Sequence, residues 1–169
     1  MTQNLRAALV VALLPCAGGA EPLPALNLAP EATTVSGLSS GAFMAVQLQV
    51  AFSKSIAGAG VIAGGPFGCA DGNVYRAVRV CMNGYLGTAD AESALDEIRD
   101  LAAQGGIDDV SHLLADRVYL FHGQADDTVA RASMDALRQS YVLLGVPDTQ
   151  VTYTTRINAG HGFVTERGD

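Results

Sequence analysis

The chain has 169 residues and a formal net charge of −7, with 49% hydrophobic and 16% charged residues. That balance excludes a disordered chain, and it argues against nucleic acid as the main partner. Lys and Arg total 10, with Lys54 the sole lysine, so no basic patch can be built. Trp is absent and there are only 5 Tyr and 5 Phe, too few for a long aromatic platform to stack bases or sugars.

Residues 1–20 read as a secretory signal peptide. Arg6 is followed by an unbroken apolar run over 7–15 and then by the small residues Ala17-Gly18-Gly19-Ala20. The run is too short to span a bilayer, which takes about 20 residues, and no other segment is a transmembrane candidate. Cys16 as a lipoprotein cysteine fits poorly beside Pro15. The expectation is an exported protein whose single domain covers 21–169. Export would leave two cysteines, Cys69 and Cys81, as a disulfide candidate in an oxidising compartment. The bridge would be worth roughly 3 kcal/mol in the chain-entropy model. A metal reading lacks further ligands nearby, and a nucleophilic cysteine is the weaker alternative.

Residues 21–30 hold three of the six prolines and read as an extended lead-in. A short strand is predicted at 32–36. Residues 40–52 are apolar nearly all round, as in a buried helix. Residues 56–63 are small and apolar, a buried strand. Ala91, Ala94, Leu95, Ile98, Leu101 and Ala102 fall at helical spacing within 90–104, with Asp90 as N-cap. Residues 117–122 form a strand ending at Gly123. Met134, Leu137, Tyr141 and Leu144 mark another helix, closed by Gly145 and Pro147. Residues 150–156 are a further strand, rich in Thr and Val. The alternation predicts an α/β fold with a mostly parallel sheet of about four strands.

The sharpest local signal is Gly37-Leu38-Ser39-Ser40-Gly41, a G-x-S-x-G between a strand and a helix. A strand turning abruptly into a helix projects the central serine, and glycines on either side let neighbouring segments come close. The Ser40 N–H, at the helix N-terminus, can receive a developing oxyanion. Alone the motif is weak, because a structural Gly-Ser turn looks the same. A serine nucleophile also needs a base and a group that holds the base's tautomer. In α/β-hydrolases these follow in the order Ser, acid, His, each on a loop after a strand. Asp126 and Asp127 follow the strand at 117–122, and His161 follows the strand at 150–156. Asp126 is the favoured acid, leaving Asp127 to cap or tether the next helix. His122 and His112 read as structural, and Ser36 and Ser40 miss the motif centre.

At these residues the sequence resembles the extracellular poly(3-hydroxybutyrate) depolymerases with the serine near the mature N-terminus. The resemblance runs from about Val35 to Phe163. It is strongest in Ser36-Gly37-Leu38-Ser39-Ser40-Gly41-Ala42-Phe43-Met44-Ala45-Val46-Gln47-Leu48, and in Ala63-Gly64-Gly65-Pro66-Phe67-Gly68-Cys69 with Cys81-Met82-Asn83-Gly84. It implies a circularly permuted α/β-hydrolase fold. Ser39 is then the nucleophile, Asp126 the orienting acid and His161 the base, with Cys69 and Cys81 bonded. The implied substrate is a polyester or short-chain ester, cleaved without metal or cofactor. In such a permuted chain the loop carrying the second oxyanion donor would follow the histidine, yet the sequence stops at Asp169, so a domain incomplete at its C-terminus is expected. The competing readings are another secreted carboxylesterase of feruloyl or acetylxylan type, an inactive remnant or non-catalytic binding module, and, more distantly, a thiol hydrolase centred on Cys69.

Overall fold

The computed structural model describes residues 24–165. The expected signal segment and Cys16 lie outside them. Four strands alternate with helices: β1 (Thr34–Leu38), α1 (Ser40–Ala51), β2 (Gly58–Ile62), α2 (Val74–Arg76), α3 (Ala91–Ala103), β3 (Arg117–Phe121), α4 (Arg131–Leu143) and β4 (Val151–Thr154). A six-residue π-helical stretch, Ala77–Met82, continues α2. The strands form one parallel sheet in the order β1-β2-β3-β4. Their last residues are in register, Leu38 with Ile62, Ile62 with Phe121 and Phe121 with Thr154, so every following loop opens at the same edge.

Each helix has a sequence cause. Asp90 caps α3 by accepting from both the N–H and the Oγ of Ser93, which satisfies donors the first turn leaves open. Ala91, Ala94, Leu95 and Ile98 then form its buried stripe. Met134, Leu137 and Tyr141 do the same for α4, against which α3 packs. The helix ends at Leu144, with Gly145 in the left-handed region at φ 84°. The main core joins these residues to Val46, Val50, Val61, Leu113 and Leu120. Burying one such side chain fully contributes about 1.5–3 kcal/mol.

A polar rod crosses this core. Gln49 of α1 is fully buried; its Nε2 donates to Asp116 Oδ2 at 2.8 Å and its Oε1 accepts from the Tyr141 hydroxyl at 2.6 Å. Burial raises the Asp116 carboxyl above its usual range, against the opposing pull of the Gln49 bond and His112.

Two expectations are corrected. The first strand starts at Thr34 and runs to Leu38, two residues later than the predicted 32–36. Pro30–Ala32 instead closes a 3-10 turn in which Thr33 donates back to the Pro30 carbonyl. The strand therefore includes Gly37 and Leu38, leaving Ser39 no loop before the turn. The α1 helix is also not buried all round: Met44 and Phe52 are more than half exposed, at 57% and 55%. Only the face of Ala42, Ala45, Val46, Gln49 and Val50 meets the sheet and core. Among the described residues, no helix is long and apolar enough to cross a membrane.

Candidate active site

Ser39 links β1 directly to α1. Its φ of 58° and ψ of −123° are a conformation that L-residues rarely adopt, costing about 1–3 kcal/mol that the surroundings must over-determine. They do so with two backbone bonds: Ser39 N–H donates to the Ile62 carbonyl at 2.9 Å, and its carbonyl accepts Phe43 N–H at 3.0 Å. Gly37 permits the sharp turn, since a Cβ there would overlap the Gly41 backbone. Gly41 differs, because a Cβ on it meets nothing. The expected need for small residues on both sides of the serine holds for the first glycine alone. Ser40 begins α1 and is exposed; its N–H belongs to the first turn, where no carbonyl of the helix can reach it.

The acid and base meet as the spacing suggested. His161 Nδ1 lies 3.0 Å from Asp126 Oδ2, and the Asp126 side chain is 1% exposed. Burial alone would raise this carboxyl. Hydrogen bonds from His161, Val129 and Thr128 outweigh it and hold the group below its usual range. An ionised carboxylate can only accept, so Nδ1 carries the proton and the Nε2 lone pair is left for a substrate-side proton.

Asp126 does more than orient the histidine. Its Oδ1 accepts Thr128 N–H at 3.0 Å and Val129 N–H at 3.1 Å, so the other oxygen folds its own loop. This corrects the role given to Asp127, which is exposed, while α4 begins at Ala130 without a side-chain cap. The two backbone N–H groups between Asp126 and the helix already have their acceptor. His122 is structural, as expected: it is buried, and Nε2 donates to the Val129 carbonyl at 2.9 Å across the acid loop. His112 is an exposed residue of a short 3-10 helix.

In the strand order, β4 is three positions from β1, about 14 Å at the usual interstrand spacing. The segment after β4 shortens that gap by crossing the end of β3. Gln124 N–H donates to the Ile157 carbonyl and Ala125 N–H to the Ala159 carbonyl. Gly123 makes the crossing possible, since a Cβ there would overlap the Ala159 carbonyl. Asp126 and His161 are thus joined directly, and Ser39 shares their edge of the sheet. No hydrogen bond connects Ser39 to His161 among the described residues.

Cys69 and Cys81 form the expected disulfide. Both line a cleft of about 740 Å³ that opens on Ser39 and Ser40 and is walled by Phe43, Met44, Pro66 and Met82. Of the aromatic residues whose exposure sequence left open, Phe67 is buried, whereas Tyr75, Tyr85 and Phe163 are exposed.

The chain is 47% identical over 145 residues to a poly(3-hydroxybutyrate) depolymerase of Delftia acidovorans, an alignment covering 85% of this chain and 29% of that protein. It is 36% identical to a polyhydroxybutyrate depolymerase of Talaromyces funiculosus, covering 98% of this chain and 47% of that one. Among solved structures, PHB depolymerase from Penicillium funiculosum superposes with a TM-score of 0.73 at 34% identity, covering 87% of this chain and 44% of that one. A serine-to-alanine PHB depolymerase complexed with R3HB trimer gives 0.74 at 33% identity, covering 88% and 45%. No family model matches the chain. The resemblance read from the sequence is borne out, and with it the α/β-hydrolase-like architecture. The chain spans less than half the length of these relatives.

Proposed function

We propose that this chain carries the Ser-His-Asp machinery of a secreted serine esterase, with poly(3-hydroxybutyrate) or its oligomers as substrate. The observation that carries the reading is the His161–Asp126 pair at 3.0 Å, on the same sheet edge as a serine held at positive φ. The R3HB trimer in a similar structure supports the substrate class.

In this reading His161 Nε2 takes the Ser39 proton as Oγ attacks the ester carbonyl. The Ser40 N–H receives the developing oxyanion, aided by the positive end of α1. The tetrahedral intermediate collapses, and His161 protonates the departing alcohol. Water, deprotonated by the same imidazole, then frees the acid and restores Ser39. Asp126 stabilises the imidazolium in both halves. A neutral polyester is indifferent to the net charge of −7. Residues 1–20 serve as the export signal, so the mature chain begins at Glu21 and its disulfide forms in an oxidising compartment.

The test compares Ser39→Ala with wild type on hydroxybutyrate oligomers and on acetylated and feruloylated sugars. A loss of at least about 10³-fold in kcat on the oligomers is expected. Equal activity of the two proteins rejects the nucleophile. Preference for the sugar esters moves the enzyme to another carboxylesterase class. Failure of a fluorophosphonate to label Ser39 marks an unassembled site. Sequencing of the exported protein's N-terminus checks cleavage after Ala20.

A further inference from the structure

The cleft that opens on Ser39 runs down α1. Ser39, Phe43 and Gln47 line it at four-residue intervals, which sets them in one row and places Gln47 about 12 Å from Ser39 at the helical rise. At that far end Gln47 Oε1 accepts Gly68 N–H at 3.1 Å. Glu97 of α3 enters the cleft against Gly68, whose φ is +67° and where a Cβ would overlap the Glu97 carboxylate. Glycine at 68 thus leaves the opening through which this carboxylate reaches the cleft. Glu97 is half-buried and accepts no hydrogen bond among the described residues. Burial and the negative charge of Asp71, also in the cleft wall, raise its carboxyl, while Arg76 opposes them.

Such a group is out of place in a cleft for the interior of a polyester, which offers acceptors only. An oligomer has two distinctive ends, a hydroxyl and a carboxylate. A side-chain carboxylate accepts hydrogen bonds and donates none, so it pairs with the hydroxyl. The carboxylate end would be repelled by Glu97 and Asp71 together. We propose that Glu97 reads the hydroxyl end of a hydroxyalkanoate oligomer and so fixes which ester reaches Ser39. A 3-hydroxybutyrate unit adds four backbone atoms where a peptide residue adds three, so it spans about 4.5 Å extended and the row holds about two to three units. The hydroxyl-terminal fragment is then the acyl group. Its carbonyl bonds to Ser39 Oγ as the ester C–O bond breaks, the serine proton passes through His161 to the departing alcohol, and water releases a short hydroxy acid.

The inference rests on the esterase reading, and its test separates the two. Calorimetry on the full chain carrying Ser39→Ala measures binding of an (R)-3-hydroxybutyrate tetramer, with its hydroxyl free or methylated. The free form is expected to bind about tenfold tighter, as one charge-assisted hydrogen bond allows. That preference is expected to disappear when Glu97→Ala is added. It is expected to shrink with Glu97→Gln, which keeps the side-chain shape and controls for packing. Equal binding of the two tetramers, or a preference that both Glu97 variants retain in full, overturns the proposal and leaves the esterase reading intact. Absence of binding to either tetramer, with no turnover by wild type, overturns both.

Discussion

Replacing Asp126 separates two jobs that one carboxylate holds at once. In Asp126→Asn the Oδ1 side keeps its bonds from the Thr128 and Val129 N–H groups. The amide nitrogen then takes the place of Oδ2 and presents a donor to His161 Nδ1. The imidazole must answer with its other tautomer, and Nε2, now protonated, can no longer take the serine proton. The equivalent exchange in a serine protease costs about 10⁴ in kcat, or about 5.4 kcal/mol of barrier. Asp126→Ala loses the same activity and also strands two N–H groups of a loop that is partly closed to water. At about 1 kcal/mol per bond the loss is about 2 kcal/mol, or about 4–8 °C in Tm for a domain of this size. The acid limb gives a further check. The folded carboxyl lies below its ordinary value of 3.8, so its stabilisation is present above that pH and lost as pH falls through the lower native value. The stability gap between wild type and Asp126→Ala therefore narrows on acidification below about pH 4. Oligomer hydrolysis and thermal unfolding of the three proteins decide the matter. An Asn variant within tenfold of wild-type kcat, or Asn and Ala variants with equal Tm, would refute the reasoning.

Gly37→Ala is expected to cost about 3 kcal/mol or more, because its Cβ would overlap Gly41 backbone rather than a movable side chain. Gly41→Ala should gain about 0.5–1 kcal/mol from helix propensity, and denaturant midpoints of the two variants will show opposite signs. Removing the Cys69–Cys81 bridge by double alanine substitution should cost about 3 kcal/mol. Because both residues line the cleft, KM should rise more than kcat falls, which steady-state kinetics on an oligomer will show. For Asp116 the sign is opposite to that for Asp126. Its folded carboxyl is raised, so the wild type is favoured below pH 3.8 and loses stability as pH rises through the native value. Asp116→Asn should therefore improve relative to wild type between pH 4 and pH 7, as chemical denaturation at the two pH values will measure.

Features written in local spacing were legible. Asp90 capped the helix it was expected to cap, the Met134, Leu137 and Tyr141 stripe faced the core, and the Gly37–Gly41 motif stood between strand and helix. Asp126 and His161 could be paired because each follows a strand, and strand ends in a parallel sheet share one edge. Register was less accessible: Thr33 and Thr34 look alike in composition, but only pairing with Gly58 decides where β1 begins. The double use of Asp126 was hidden because the next residue is also Asp, and spacing does not say which loop amides take a carboxylate. The Gln49–Asp116 and Gln49–Tyr141 bonds span 67 and 92 residues. No periodicity encodes a polar partner at that separation; Gln49 simply reads as an interruption of an apolar helix.

That same glutamine has a mechanical consequence for catalysis. It grips α1 near the end opposite the serine, with one amide atom held from α4 and the other from the start of β3. A helix held in this way cannot roll about its axis without breaking both bonds inside a dry core. The direction in which its first amide points is therefore decided at its tail, so chemistry at the sheet rim inherits its aim from a side chain that no substrate ever meets.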